Sequence, residues 1–207
     1  MTYNWTLFCT QLALLLQYVR WEAAHVVGFS MGGGIAAAFA ASLPHLVSGQ
    51  VVFIASAGLL EPANNQTDCA FSRAPVVHCS TDMSAKKTGD SATPKTPQYK
   101  EFRDLQASSL PGYKRALQSC YQDGPVRHME TAFDKLATIA VGPARQSLQV
   151  LIIHGTEDEV VPIAEADKIK SRVPQAEAVK VEGAAHNIVN ADGHWQIVAA
   201  SLLRFLR

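Results

Sequence analysis

The chain has 207 residues, 48% of them hydrophobic, which is enough for a well-buried core in one domain with a sizeable insertion. Basic and acidic residues number 18 each, so the charge balance gives no reason to expect nucleic acid or an anionic membrane as partner. The four cysteines are scattered, with no C-x-x-C pair and no metal-like grouping. This pattern favours free thiols in a reducing compartment such as the cytoplasm.

The first predicted element is an amphipathic helix near the N-terminus. Residues 7–19, LFCTQLALLLQYV, carry Phe8, Leu12, Leu15 and Val19 at helical spacing, and we expect this face to pack on the core. The segment is apolar enough to suggest a signal peptide, but no basic residue precedes it and two glutamines interrupt it. No segment of the sequence is long and apolar enough to span a bilayer.

Short apolar strands then alternate with helices. The predicted strands are HVVGF (25–29), QVVFIAS (50–56), LQVLIIHG (148–155) and EAVKVEG (177–183). The predicted helices are GGGIAAAFAASLP (32–44), AEADKIKSRVP (164–174) and HWQIVAASLLRFLR (194–207). In the last helix a shared apolar face is formed by Trp195, Val198, Leu202 and Phe205. This alternation predicts an α/β fold with a mostly parallel sheet covered on both sides, in which the first strand is buried on both faces.

The middle of the chain has a different composition. Residues 64–98 are rich in Ser, Thr, Lys, Asn and Pro, which predicts a disordered segment. Residues 99–140 regain helical character. We therefore divide the chain into a first core part (1–60), an inserted helical cap or lid (61–145) and a second core part (146–207).

A Gly-x-Ser-x-Gly pattern lies between the first strand and the helix that follows it. Ser30 is the central residue of this pattern, at a place where a sharp turn would hold its hydroxyl clear of the sheet. We expect side chains at Gly28 and Gly32 to collide, so both positions must be small. The backbone N–H of Met31 would open the helix, where it could stabilise an oxyanion. The alternative is a glycine-rich bend with an idle serine.

A serine needs a base, and two later loops offer candidates. Asp158 follows the strand VLIIHG, and His186 follows the strand AVKVEG. His186 would serve as general base and acid, and Asp158 would orient its imidazole. Asp158 could instead cap the next helix, and Glu157 and Glu159 flank it as less favoured acids. His186 could also be a loop histidine with a structural hydrogen bond.

Three other histidines are interpreted as structural. His25 and His154 lie at strand ends, where packing or hydrogen bonding to the backbone is the simplest interpretation. His194, in the segment DGHW, is expected to start the last helix.

The segments VVGFSMGGG, VLIIHGTEDEVVP and VEGAAHNIV resemble the nucleophile elbow, acid loop and histidine loop of the α/β-hydrolase superfamily, in the same order along the chain. The likeness covers residues 5–60 and 146–207, and the insertion has the place of the family's cap. The resemblance implies a serine hydrolase of a small ester, thioester or lactone that needs no metal or organic cofactor. A second implied reaction is hydrolysis of a carbon–carbon bond by the same three residues.

The chain departs from the family pattern at its front. About 25 residues precede the elbow strand, where the family usually has about four strands and a loop with the second oxyanion donor. We therefore expect an N-terminally truncated member whose elbow strand has one unpaired edge, liable to self-association. Impaired activity is expected as well, and the rival interpretation is an inactive remnant that acts as a binding partner.

Overall fold

A computed structural model describes residues 2–61 and 99–206. By compactness the chain divides into one unit of Met1–Pro62 with Gln118–Arg207 and a second unit of Ala63–Leu117. The division into core and cap at residues 60 and 145 stays a prediction. The predicted disordered segment, 64–98, lies outside the described residues.

The first unit is built on a four-stranded parallel sheet, as the alternation of strands and helices predicts. Its spatial order is β1-β2-β5-β6, with every neighbouring pair parallel. A separate short hairpin is formed by β3 and β4. The strands are β1 (Ala24–Phe29), β2 (Val47–Ile54), β3 (Ala140–Val141), β4 (Gln146–Ser147), β5 (Gln149–Gly155) and β6 (Glu177–Val181).

Seven α-helices and one short 3-10 helix (Pro44–Leu46) lie in the described part of the chain, and none of these is long and apolar enough to cross a membrane. The α-helices are α1 (Trp5–Val19), α2 (Met31–Ser42), α3 (Tyr99–Ser109), α4 (Tyr113–Gln122), α5 (Glu130–Leu136), α6 (Ala164–Arg172) and α7 (Trp195–Phe205). Asn4 caps α1 by accepting the Leu7 N–H at 3.0 Å. Pro44 follows α2 closely, and Pro174 follows α6, because proline cannot continue a helix.

Helices cover the sheet on two sides. Phe53 of β2 and Ile152 of β5 belong to a large cluster that includes Phe39 of α2, Phe133 of α5 and Ile169 of α6. The alternating residues of the same strands form a second cluster, against which α7 packs. Alternation along a strand sends successive side chains to opposite faces, so the two clusters are the two faces of one sheet.

The prediction that β1 is buried on both faces is wrong. Val27 is 46% exposed and Phe29 is 37% exposed, and His25 on the same face is exposed too. Among the described strands β1 lies at the edge of the sheet, with β2 as its neighbour. The cluster beneath α7 contains no residue of β1, so this face of the strand stays partly open.

The buried faces of two helices also differ from the prediction. In α1 the buried residues are Cys9 and Leu16, whereas Leu15 is 53% exposed. Leucines lie on almost every side of this helix, so spacing alone could not select the face that packs. In α7 Trp195 is 44% exposed, because contact with the sheet begins at Val198.

Candidate active site

The turn between β1 and α2 holds Ser30 in a strained backbone conformation. Its φ of 55° and ψ of −125° lie in a region that L-residues rarely adopt, at a cost of about 1–3 kcal/mol. Three backbone hydrogen bonds offset this strain. The Ser30 N–H donates to the Ile54 carbonyl at 3.0 Å, and the Ser30 carbonyl accepts from Gly33 at 2.9 Å and from Ala57 at 3.0 Å. The turn is therefore tied to the segment after β2.

Glycines allow this turn to pack closely, but the sterically required glycines are only partly those of the motif. A Cβ at Gly28 would overlap the carbonyl group of Gly32. A Cβ at Gly32 would meet nothing within 4 Å, so the expected steric need for glycine at Gly32 is wrong. The tight position is instead Gly33, where a Cβ would overlap the side chain of Ser56.

The acid loop follows β5 and buries one carboxylate. Asp158 is 6% exposed, whereas Glu157 and Glu159 are exposed. Oδ1 of Asp158 accepts the backbone N–H groups of Val160 at 2.9 Å and Val161 at 2.8 Å. Asp158 thus stabilises a turn of its own loop rather than the start of α6, which begins six residues later at Ala164.

His186 joins the acid loop to the serine turn. Its Nδ1 lies 2.8 Å from Oδ2 of Asp158, and its Nε2 lies 3.0 Å from Oγ of Ser30. A carboxylate only accepts hydrogen bonds, so Nδ1 carries the proton and the lone pair of Nε2 faces the serine hydroxyl. The structure therefore brings the three residues predicted from the motifs into one hydrogen-bonded chain.

The acid loop and the histidine loop are joined by backbone contacts. The Glu157 N–H donates to the Ala184 carbonyl at 3.0 Å, and the Gly183 N–H donates to the Thr156 hydroxyl at 2.9 Å. A Cβ at Gly155 would overlap the Ala184 carbonyl, so the approach of the two loops depends on glycine there. These contacts hold Asp158 and His186 on a common framework.

Sequence reasoning missed the contact of Phe29 with the imidazole of His186. The two rings are stacked, with centroids 5.1 Å apart and planes inclined by 30°. The residue before the nucleophile points to the same face of β1 as Val27, and the prediction that β1 is buried on both faces hid this neighbour.

The remaining candidates have simpler positions. Met31 is the first residue of α2, so its N–H belongs to the first turn, where backbone donors have no acceptor within the helix. His154 is hydrogen-bonded to the backbone and His194 precedes α7, both as predicted, whereas His25 is exposed on β1. The described residues contain no cluster of three or more His, Cys, Asp or Glu side chains that could hold a metal ion.

The fold and these loops agree with a comparison against protein families. The model of the alpha/beta hydrolase fold family matches residues 2–189. The chain therefore belongs to the α/β-hydrolase family.

Solved structures of hydrolases and peroxidases share this fold. A bromoperoxidase from Bacillus anthracis is 19% identical with a TM-score of 0.70, and the match covers 100% of this chain and 75% of that one. The meta-cleavage product hydrolase CumD from Pseudomonas fluorescens IP01 is 16% identical with a TM-score of 0.67, covering 100% and 74%. A structure from work on carboxylesterases of Nitrososphaera gargenis is 19% identical with a TM-score of 0.62, covering 98% and 73%. At these identities the likeness concerns the fold alone.

Proposed function

We propose that this chain is a serine hydrolase that cleaves a small carboxylic ester, thioester or lactone through an acyl-enzyme on Ser30. The observation that carries the proposal is the position of the His186 imidazole, 3.0 Å from the Ser30 hydroxyl and 2.8 Å from the Asp158 carboxylate. This is the spacing that a nucleophile, its general base and an orienting acid require.

In the proposed acylation, Oγ of Ser30 attacks the carbonyl carbon of the substrate while its proton passes to Nε2 of His186. Asp158 keeps Nδ1 protonated and stabilises the positive imidazolium that forms. The carbonyl oxygen becomes an oxyanion, and the N–H of Met31, helped by the dipole of α2, donates to it. The tetrahedral intermediate then expels the alcohol or thiol, which takes the proton from Nε2.

Deacylation repeats these steps with water as the nucleophile. Nε2 of His186 accepts a proton from the water molecule, and the hydroxide attacks the acyl carbon. Collapse of the second intermediate releases the acid, and the proton returns from Nε2 to Oγ of Ser30. Water and a small molecule are thus the proposed substrates.

The free thiols Cys9 and Cys120 favour a reducing compartment such as the cytoplasm.

Hydrolysis of a carbon–carbon bond is the second reaction that the same three residues could support. It is favoured by the structural likeness to a meta-cleavage product hydrolase, which is a likeness of fold. Parallel assays with p-nitrophenyl acetate and with a vinylogous diketone acid would separate the two reactions.

The test of the proposal is labelling with a fluorophosphonate probe, which reacts with an activated serine. We expect the purified wild-type chain to be labelled and the labelled peptide to contain Ser30. Ser30→Ala should abolish labelling, and His186→Ala should slow it by at least about 10³-fold, because the hydroxyl loses its base. Ser171→Ala is the matched control, because Ser171 lies on α6 and its hydroxyl donates to the Lys168 carbonyl rather than to a base.

A folded wild-type chain that refuses the probe and hydrolyses neither substrate would overturn the proposal. It would support the rival in which the chain is an inactive remnant that serves as a binding partner. Folding is checked independently by circular dichroism and by a cooperative urea transition.

A further inference from the structure

His154, at the end of β5, is a fully buried histidine that the proposed mechanism does not use. Its relative exposure is 0%, and it comes just before Gly155, where the acid loop leaves the sheet. A buried imidazole without a task is unusual, because a leucine would fill similar space without placing two ring nitrogens away from water.

The hydrogen bonds of His154 assign its tautomer. Nε2 lies 2.8 Å from the carbonyl oxygen of Val161, which can only accept, so Nε2 carries the proton. Nδ1 is buried and has no hydrogen-bond partner among the described residues. Leaving Nδ1 buried without a partner has an energetic cost. Because this cost is offset only by the hydrogen bond from Nε2, we look for the role of His154 in that hydrogen bond.

Both backbone polar groups of Val161 form hydrogen bonds to side chains. Its carbonyl accepts from His154, and its N–H donates to Oδ1 of Asp158 at 2.8 Å. The segment 154–161 is thus closed on itself. The same Nε2 lies 3.6 Å from Oδ2 of Asp158, the oxygen that accepts from His186.

We propose that His154 is a positioning residue that fixes the acid loop and thereby aims the Asp158 carboxylate at His186. Without the donor at Nε2 the Val161 carbonyl loses its anchor, and the turn that presents Asp158 can rotate. This inference rests on the proposed function, in which the chain from Asp158 through His186 to Ser30 performs the reaction.

The kinetic test compares two substitutions of similar size. His154→Leu removes the donor and should lower kcat by about 10- to 100-fold with little change in KM, because small misplacement of a reacting group has costs of this order. His154→Gln places an amide N–H near the position of Nε2 and should restore most of the loss. Phe133→Leu is the control for stability alone, because Phe133 is fully buried on α5 and lies outside the acid loop.

A double-substitution cycle shows whether His154 acts through Asp158. In the Asp158→Ala background, His154→Leu should cause no further loss of kcat, because there is no carboxylate left to aim. Multiplied losses in the double variant would overturn the inference, and so would equal rates of the wild type and the single variant His154→Leu.

A spectroscopic test is independent of activity. Nitrogen NMR of the imidazole rings should show the Nε2–H tautomer at His154 and the Nδ1–H tautomer at His186 in the wild type. His154→Leu should weaken the Nδ1–H signature of His186, and His154→Gln should keep it. If the NMR results are as expected but Ser30 is not labelled by the probe, the proposed function is wrong and the inference about His154 holds. An Nδ1–H tautomer at His154, or an unchanged His186 signal in His154→Leu, would overturn the inference whatever the activity.

Discussion

The ring of Phe29 stacks on the imidazole of His186, with centroids 5.1 Å apart. Such a contact restrains the imidazole, and the face of an aromatic ring attracts a cation. Because the imidazolium forms during the proposed reaction, the stacking should matter more in the transition state than in the ground state.

We predict that Phe29→Ala lowers kcat by about 2- to 12-fold, which corresponds to the roughly 0.5–1.5 kcal/mol of an aromatic pair. Steady-state kinetics on an ester substrate measure the effect. Phe29→Leu keeps much of the bulk and should recover part of the loss by steric restraint alone. Full activity of the Ala variant would contradict a role for the stacking.

Two glycines of the serine turn should respond oppositely to alanine. Gly28→Ala should lower the free energy of unfolding by about 2–3 kcal/mol, because the new Cβ overlaps the backbone of α2 at Gly32. Gly32→Ala should be neutral or stabilising by up to about 1 kcal/mol, because its Cβ meets open space and alanine favours a helix. Urea unfolding of both variants checks this, and equal losses would contradict the account.

Lys168 should contribute to stability through a buried partner. Its Nζ lies 2.8 Å from Glu165, which is 3% exposed, and 2.9 Å from Glu61. Lys168→Met leaves the Glu165 charge buried without this partner, so we expect a loss of about 2 kcal/mol, reduced from the range for a fully buried pair because Lys168 is partly exposed. Lys180→Met is the control, since its pair with Asp167 is exposed and should contribute about 0–1 kcal/mol.

The pH dependence of this contribution has a definite sign. The hydrogen bond to Glu165 raises the pKa of Lys168 above its ordinary value of 10.5. The contribution is therefore complete below pH 10.5 and is lost as pH rises through the higher folded-state pKa. The wild type and Lys168→Met should differ in free energy of unfolding at pH 8, and this difference should shrink above pH 11. A difference that grows with pH would contradict the prediction.

Cys9 should be an inert thiol. Burial raises the pKa of Cys9 from 9.0 to about 11, so the thiolate fraction near pH 8 is about 100-fold below that of a free cysteine. Peptide mass spectrometry after iodoacetamide treatment should show slow alkylation of Cys9 in the native chain and fast alkylation in urea. Cys120, which is partly exposed, should react earlier in the native chain. Rapid native alkylation of Cys9 would show that α1 detaches from the core.

The edge of β1 is the predicted site of self-association. In the described sheet β1 pairs with β2 alone, and Val27 on it is 46% exposed. We expect the wild type to dimerise at high concentration by pairing of this edge with that of a second copy, and Val27→Lys to suppress the dimer. Light scattering after size exclusion measures the mass. Leu203→Lys on α7 is the control, because Leu203 is another exposed apolar residue. A wild type that stays monomeric at high concentration would contradict the prediction.

Local patterns in the sequence determined much of this protein. The alternation of apolar strands with helices predicted the parallel sheet, and Pro174 after α6 marked a helix end, because strand and helix preferences act over a few residues. The three motifs also placed Ser30, Asp158 and His186 at strand ends, where parallel strands present their loops on one edge.

The tertiary structure alone decided which neighbours these residues have. Burial distinguishes Asp158 from the exposed Glu157 and Glu159, and the edge position of β1 exposes Phe29 to stack on His186. Ser30 and His186 are 156 residues apart in the chain, so no local preference encodes their contact. Contacts of this kind depend on how whole elements pack, and packing follows from the combined shape of distant side chains rather than from any short pattern.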